Sequence, residues 1–501
     1  MKYRSSRDFS GAPHLCSSAN AIKEGLAADG GLYLPVSIPR LSRSDFDTLA
    51  ELDYPSRAAY ILSMFLDDYD PDGLAEDCRA AYSADKFDCP TAGGRYVSGG
   101  AAPVFEIADG LYSLELWHGP TAAFKDMALQ LMPRLLSRAL KMTGEERTAH
   151  ILVATSGDTG KAALEGYADV DGVRITVFYP AEGVSEMQRM QMATTLGDNV
   201  NVIAVDGNFD DAQNGVKKIF GDAALAKRAD ERGVFFSSAN SINWGRLAPQ
   251  IVYYVSAYLD LVNAGRIRFG DPINVCVPTG NFGNIFAAYI AREMGLPFQK
   301  LVCASNVNNV LTEFIGTGVY DRTREFHKTI SPSMDILISS NLERLLYLLG
   351  GPKLTSELMT ELSRTGKYTA PDGLMIELCS TFAGYYLSED ETRREIRDTF
   401  TCDHCLIDTH TAVGVGCAKK YRNETGDCIP MLVASTASPY KFAPDVCDAL
   451  GIAHGDGIRE TLDALSKASG TTIPQPLIKP LTMPIRFTEV IRKEAMPDAV
   501  L

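Results

Sequence analysis

Val275-Cys276-Val277-Pro278-Thr279-Gly280-Asn281-Phe282-Gly283-Asn284 joins an apolar, strand-like run that begins at Ile273 to an amphipathic stretch over 285–294. Strand, glycine loop and helix in that order form the unit of an α/β sheet whose strand ends carry ligand loops. Glycine lets the backbone come close to a ligand. The unpaired N–H groups of a helix start, reinforced by the helix dipole, then suit an anion such as a phosphate. The segment alone also reads as an ordinary glycine-containing turn, because a lone GxxG is a weak signal.

Working outward, the same alternation continues on both sides. Upstream, the periodicity predicts strands over 150–154, 174–179 and 201–205, and helices over 161–168 and 185–195. A long helical pattern follows over 210–232, and another over 246–263 leads into the glycine loop. Downstream, strands are predicted over 300–304 and 430–435. The first hundred residues are less regular, with helices expected over 19–27, 42–51 and 56–65, and Gly99-Gly100 offers a boundary. The charged, helical stretch 355–386 reads as an insertion. This pattern predicts mostly parallel sheets with a small helical region in front.

Two further segments carry chemistry. Trp117-His118-Gly119-Pro120-Thr121-Ala122-Ala123-Phe124-Lys125-Asp126 places one lysine in a bent, apolar and aromatic setting ahead of a helix. A partly desolvated lysine has a lowered pKa, and its neutral amine attacks an aldehyde, so Lys125 is a candidate to hold pyridoxal phosphate. The competing reading is a surface lysine paired with Asp126. Thr155-Ser156-Gly157-Asp158-Thr159-Gly160-Lys161 opens the helix after the 150–154 strand with hydroxyls and backbone donors suited to a carboxylate or phosphate. A nucleoside triphosphate loop is rejected: two residues separate the glycines instead of four, and Ala162 follows the lysine.

Composition sets outer limits. The 501 residues are 46% hydrophobic and 22% charged, enough for more than one domain, and no segment reads as a signal or a membrane span, so a cytoplasmic location is expected. A net charge of −15 opposes nucleic-acid and anionic-membrane partners. The eleven cysteines are scattered and odd in number, which predicts reduced, mostly buried thiols. Cys402-Asp403-His404-Cys405, with His410 nearby, lacks the second pair that would close a zinc site, so no metal is expected.

Together the lysine loop, the 155–160 loop and the 280–284 loop, in this order and spacing, resemble threonine synthase. The opening Gly25-Leu26-Ala27-Ala28-Asp29-Gly30-Gly31-Leu32-Tyr33-Leu34-Pro35 and the closing stretches 408–414 and 436–442 are similar to that family as well. The resemblance spans nearly the whole chain and is closest to the longer branch found in fungi and many bacteria. It implies a fold-type II, tryptophan-synthase-β-like enzyme with two parallel-sheet α/β domains. Residues 1–98 would form the N-terminal domain and 99–501 the catalytic region, with a small subdomain at about 127–236.

By the same resemblance, Lys125 binds pyridoxal 5'-phosphate covalently, Gly280, Asn281, Phe282, Gly283 and Asn284 hold its phosphate, and Thr436 faces its ring nitrogen. Thr155, Ser156, Asp158 and Thr159 would surround the substrate carboxylate or the ring oxygen. Asn240, Asn243 and Arg246 are nominated for the phosphate of O-phospho-L-homoserine, with Lys161 behind them. The implied reaction yields L-threonine and phosphate from a monomer or homodimer. A phospho-lyase releasing phosphate and a 2-oxo acid shares these motifs, and a non-catalytic phosphate-binding protein would treat Lys125 as incidental.

Overall fold

Three strands, Leu111–Glu115, Ile273–Pro278 and Met431–Ser435, are buried at every residue, as apolar strands are when both sheet faces are covered. They lie with Phe298–Ser305 at the centre of a six-stranded sheet, parallel to one another. Phe382–Tyr386 extends one edge in parallel, and Val104–Ala108 closes the other as an antiparallel hairpin. Parallel strands deliver their carboxyl ends to one side, so the loops at 116–125, 279–282, 306–309 and 436–442 become neighbours. The computed structural model describes residues 1–155, 157–182 and 184–501.

A second, five-stranded sheet is wholly parallel, in the order Val490–Arg492, Val200–Asp206, Val173–Pro180, Thr148–Ala154 and Val234–Ser237. Its two adjacent strands Thr148–Ala154 and Val234–Ser237 end in the loops 155–158 and 238–243. One edge strand comes from the far end of the chain, well outside the 127–236 stretch. The tail beyond it is anchored: Met496 and Val500 are buried, and the Val500 and Leu501 carbonyls accept from Arg174 and Arg232 at 2.9 and 2.8 Å.

The N-terminal region pairs Tyr3–Ser5 with Tyr33–Pro35 and adds helices Ser18–Glu24, Arg43–Glu51, Tyr54–Ser63 and Pro71–Ala81. Ser17, Ser42, Asp53 and Asp70 accept from the N–H groups that open these helices. The region docks on helix Trp244–Asn263, where Arg57 pairs with Asp260 at 2.6 Å and Tyr3 meets Trp244 edge-on. The Pro71–Ala81 helix, not expected from the irregular pattern of this region, starts at Asp70 followed by proline in the first turn.

Two expectations are corrected. The pattern over 210–232 is two helices, Phe209–Gly221 and Ala223–Asp230, because Asp222 leaves the helical conformation and caps the second. The stretch 355–386 is not a helical insertion throughout, since Phe382–Tyr386 is a strand of the main sheet.

Candidate active site

Lys125 stands immediately before the short helix Asp126–Leu129. Its loop is held in shape by three backbone hydrogen bonds to the end of strand Met431–Ser435: Leu116 N–H to Ser435 O at 3.0 Å, Phe124 N–H to Thr436 O at 2.8 Å, and Ser438 N–H to Ala122 O at 3.1 Å. Ala122 is left-handed, with φ of 56°, a conformation an alanine keeps when its surroundings impose it. His118 stacks on Trp117 and bonds Glu115 at 2.8 Å, so the His-Gly-Pro lead-in is a rigid corner.

The lysine side chain is largely enclosed, and burial pushes its amine down to about 8. Asp158 opposes that shift, while Arg246 and Lys441 add to it. Asp158 is itself buried. Desolvation disfavours its charge, but the Lys441 and Lys125 ammonium groups outweigh this and hold it well below the usual carboxylate range. Lys441 Nζ lies 3.0 Å from Asp158 Oδ1 and donates to Thr121 O at 2.8 Å, and Gln188 Nε2 also donates to Oδ1 at 2.8 Å. Next to the lysine, Asp126 accepts from the Thr121 N–H and hydroxyl, and burial raises it to about 6.

The glycine loop lies beside this cluster. Asn341 donates to Asn281 O from both its backbone N–H (3.0 Å) and its side chain (2.9 Å), and Ser339 donates to Gly280 O at 2.7 Å. A Cβ on Gly280 would sit 2.8 Å from the Ser333 carbonyl, so glycine is required there by close approach. Phe282 is left-handed, with φ of 62°, and its ring packs on Phe382. The N–H groups of Gly283, Asn284 and Ile285 meet no acceptor among the described residues, and the Asn284 Nδ2 is buried without a partner. A phosphate fits this donor set, and an aldehyde fits the lowered amine of Lys125. Together they match the two ends of pyridoxal phosphate.

Ser333, unnoticed in the sequence, ties the loops together. Its N–H donates to His410 Nε2 at 3.1 Å and its hydroxyl to Asp158 Oδ2 at 3.2 Å. Because Nε2 accepts, His410 carries its proton on Nδ1 and gives it to Asp408 at 2.7 Å. Asp408 caps helix Thr409–Thr425, which fixes the dyad.

The second sheet brings its loops to the same place. The Thr155 hydroxyl accepts from the N–H groups of Gly157 and Gly160, at 2.9 and 3.0 Å, and Thr159 is half-buried. Gly157 has a φ of +146°, and a Cβ there would strike Gln188. Ser156 lies outside the described residues. Arg246 is buried, donates to Ala239 O at 2.6 Å and has no carboxylate within 4 Å among the described residues. Burial lowers it to about 10, still cationic at neutral pH.

The remaining candidates diverge. Asn240 is exposed, whereas Asn243 is buried and committed: its Nδ2 donates to Ile22 O at 2.8 Å and its Oδ1 accepts from Gly245 N–H at 2.8 Å. Lys161 is likewise engaged, by Glu165 at 2.7 Å and Thr195 at 3.1 Å. The Thr436 hydroxyl meets no partner among the described residues, although the residue is buried. No group of three or more potential metal ligands occurs among the described residues, and Cys402 and Cys405 differ in exposure. No helix of the described residues is long and apolar enough to cross a membrane.

Comparison with known proteins agrees with this geometry. Residues 2–82 match a family model described as threonine synthase N terminus, 106–428 one described as pyridoxal-phosphate dependent enzyme, and 411–495 one described as threonine synthase, C-terminal. The chain is 38% identical to the threonine synthase of Pseudomonas aeruginosa, over 96% of this chain and 97% of that one. It is 40% identical to human threonine synthase-like 1, but that match takes in 87% of this chain and 58% of the human protein, so the chain spans less than two thirds of that relative's length. The crystal structure of PLP-bound threonine synthase from Brucella melitensis superposes with a TM-score of 0.86 at 33% identity, covering 100% of this chain and 98% of that chain.

Proposed function

Since the chain belongs to the threonine synthase family, we propose that it converts O-phospho-L-homoserine and water into L-threonine and inorganic phosphate. The observation that carries the reading is Arg246: a buried arginine with no carboxylate partner among the described residues, close enough to Lys125 to bear on its pKa. A buried cation needs an anion, and a phosphorylated substrate supplies one.

The chemistry supplied by pyridoxal 5'-phosphate when bound is an electron sink for charge developing on the substrate. Lys125, with its amine pushed down to about 8, holds and moves a proton at Cα and then at Cβ near neutral pH. The 280–284 loop binds the cofactor phosphate, and Thr436 offers its free hydroxyl to the ring. Arg246 neutralises the phosphate leaving from Cγ, and the Asn240 amide donates to it. Thr159 and Ser156 receive the substrate carboxylate, with Thr155 shaping their loop from beneath. Asp158, held ionised, repels a carboxylate and instead orients Lys441 and Gln188. Asn243 acts as a strut to the N-terminal region. We place that region at 1–98 and the catalytic region at 99–501, in a cytoplasmic monomer or homodimer.

The test is to incubate the reconstituted protein with O-phospho-L-homoserine and quantify threonine, 2-oxobutyrate and phosphate in one sample. Threonine equal to phosphate is the expected result. Phosphate with 2-oxobutyrate instead identifies a phospho-lyase, and no phosphate at all rejects the substrate.

A further inference from the structure

Asn284 is the second residue of helix Gly283–Glu293, and its amide is bonded on one side only. Its Oδ1 accepts two hydroxyl protons, from Tyr253 at 2.7 Å and from Tyr254 at 2.5 Å. Its Nδ2 is buried and finds no partner among the described residues. Both tyrosines are fully buried on helix Trp244–Asn263, with ring centroids 4.8 Å apart. Consecutive helical residues point about 100° apart, so two that converge on one atom must lie on either side of it.

An asparagine amide turns over with almost no change of shape, so its orientation is set by its partners. A tyrosine hydroxyl both donates and accepts, and one with a second acceptor in reach leaves either orientation open. Here the turned amide would occupy the tyrosine lone pairs with its own protons. Tyr253 would still have Gln250 Oε1, at 3.2 Å. Tyr254 has no other acceptor among the described residues, and its proton would be stranded in the interior. The pair thus enforces the orientation in which the NH₂ group is left to donate, at a helix start whose backbone donors are also free.

We propose that Tyr253 and Tyr254 are positioning residues for the cofactor phosphate, locking the Asn284 amide as a donor before the phosphate arrives. The proposal rests on the cofactor site described above, and its consequence is specific. Loss of the Tyr254 hydroxyl frees the amide to turn, weakens the hold on the phosphate and leaves the rest of the cofactor's binding unchanged.

The experiment titrates the cofactor-stripped full chain, wild type and variants, with pyridoxal 5'-phosphate and with pyridoxal, which lacks the phosphate. Tyr254→Phe is expected to weaken pyridoxal 5'-phosphate about ten-fold, the scale of one lost hydrogen bond to a strong acceptor, with pyridoxal unaffected, whereas Tyr253→Phe leaves Tyr254 holding the amide and should weaken it less. In an Asn284→Ala background, the tyrosine changes should add nothing. Equal weakening of both ligands, no weakening of either, or an undiminished effect without Asn284 would each overturn the proposal. A wild-type chain that binds neither ligand would overturn the cofactor assignment itself.

Discussion

At the scale of single residues, the site works by removing water from charges and leaving some of them uncompensated. Lys125 is the clearest case. Only a neutral amine attacks an aldehyde, and burial moves the midpoint of that form from 10.5 to about 8. The rate at which the stripped protein takes up pyridoxal 5'-phosphate should therefore rise with pH and level off above about 8. A rise continuing to pH 10 would show an ordinary surface lysine. Lys125→Ala should abolish both the visible band and turnover, and an unchanged band ends the assignment. Arg246→Ala should raise KM for the phosphorylated substrate by about 10- to 100-fold, the scale of lost bonds to a charged partner, with kcat less affected. An unchanged KM removes Arg246 from the phosphate.

Residues whose chemistry dictates their type were legible at this scale, and residues defined by company were not. Lys125 and the glycine loop announce themselves through local composition. Lys161 looked like a site cation because it ends a glycine loop, yet Glu165 occupies it from one turn further along the same helix. The lysine that does reach Asp158 is Lys441, distant in sequence and delivered by the closing of a sheet. No local pattern marks such a pairing. Asn243 shows the converse, an amide in a suggestive loop that is spent on the Ile22 carbonyl.

At the scale of elements, each site loop hangs from the carboxyl end of a parallel strand, and the strands must stay buried to hold the loops still. Strand Thr148–Ala154, which delivers the 155–160 loop, carries the buried His150. Burial, with Arg174 adding to it, holds the imidazole down to about 3, against 6.5 when unfolded. The unfolded chain therefore binds the proton between those values while the folded one does not, so stability rises with pH from about 3 to 6.5. Lowering the pH from 7 to 5 should cost about 2 kcal/mol through this group alone. His150→Phe should flatten that part of the pH profile in denaturant titrations. An unchanged slope would show that other groups set the acid limit.

The strands Thr148–Ala154, Val173–Pro180, Val200–Asp206 and Phe298–Ser305 match their predicted spans because their apolar, β-branched runs stop at polar turns, whereas Leu111–Glu115 is just as buried but carries Ser113 and Glu115 and shows no such run. The error at 210–232 has a physical origin. An aspartate is tolerable on an exposed helix face, so periodicity carries through it, whereas in the structure Asp222 accepts from Leu225 N–H and starts a new helix.

At the scale of the whole molecule, the second sheet depends on residues beyond 480 that carry no strand-like pattern. Val490–Arg492 is short and exposed at two of its three positions, so it lacks the apolar run that marks a strand. Its place is fixed instead by pairing with Val200–Asp206 and by Met496, which fills the space a side chain on Gly215 would take. Met496→Ala should destabilise the protein by about 2–4 kcal/mol, the usual cost of emptying such a position. Calorimetry should show the loss in the part of the transition that carries the 155–160 loop, and a shift below about 0.5 kcal/mol, as at ordinary surface sites, would mean the tail is dispensable.

That dependence orders events in time. A ribosome releases the chain from its beginning, so Lys125 and its loop emerge early, followed by the strands from 148 to 237. Until residues 490–496 appear, the edge of Val200–Asp206 has no partner, and the groove beside Gly215 is empty. Nascent chains in that state expose an unpaired strand edge, which invites chaperones or a neighbouring chain. A chain cut before 490 should therefore lose turnover even though it retains Lys125 and the 280–284 loop, and a fully active truncation would show that the second sheet holds its loops without that edge strand.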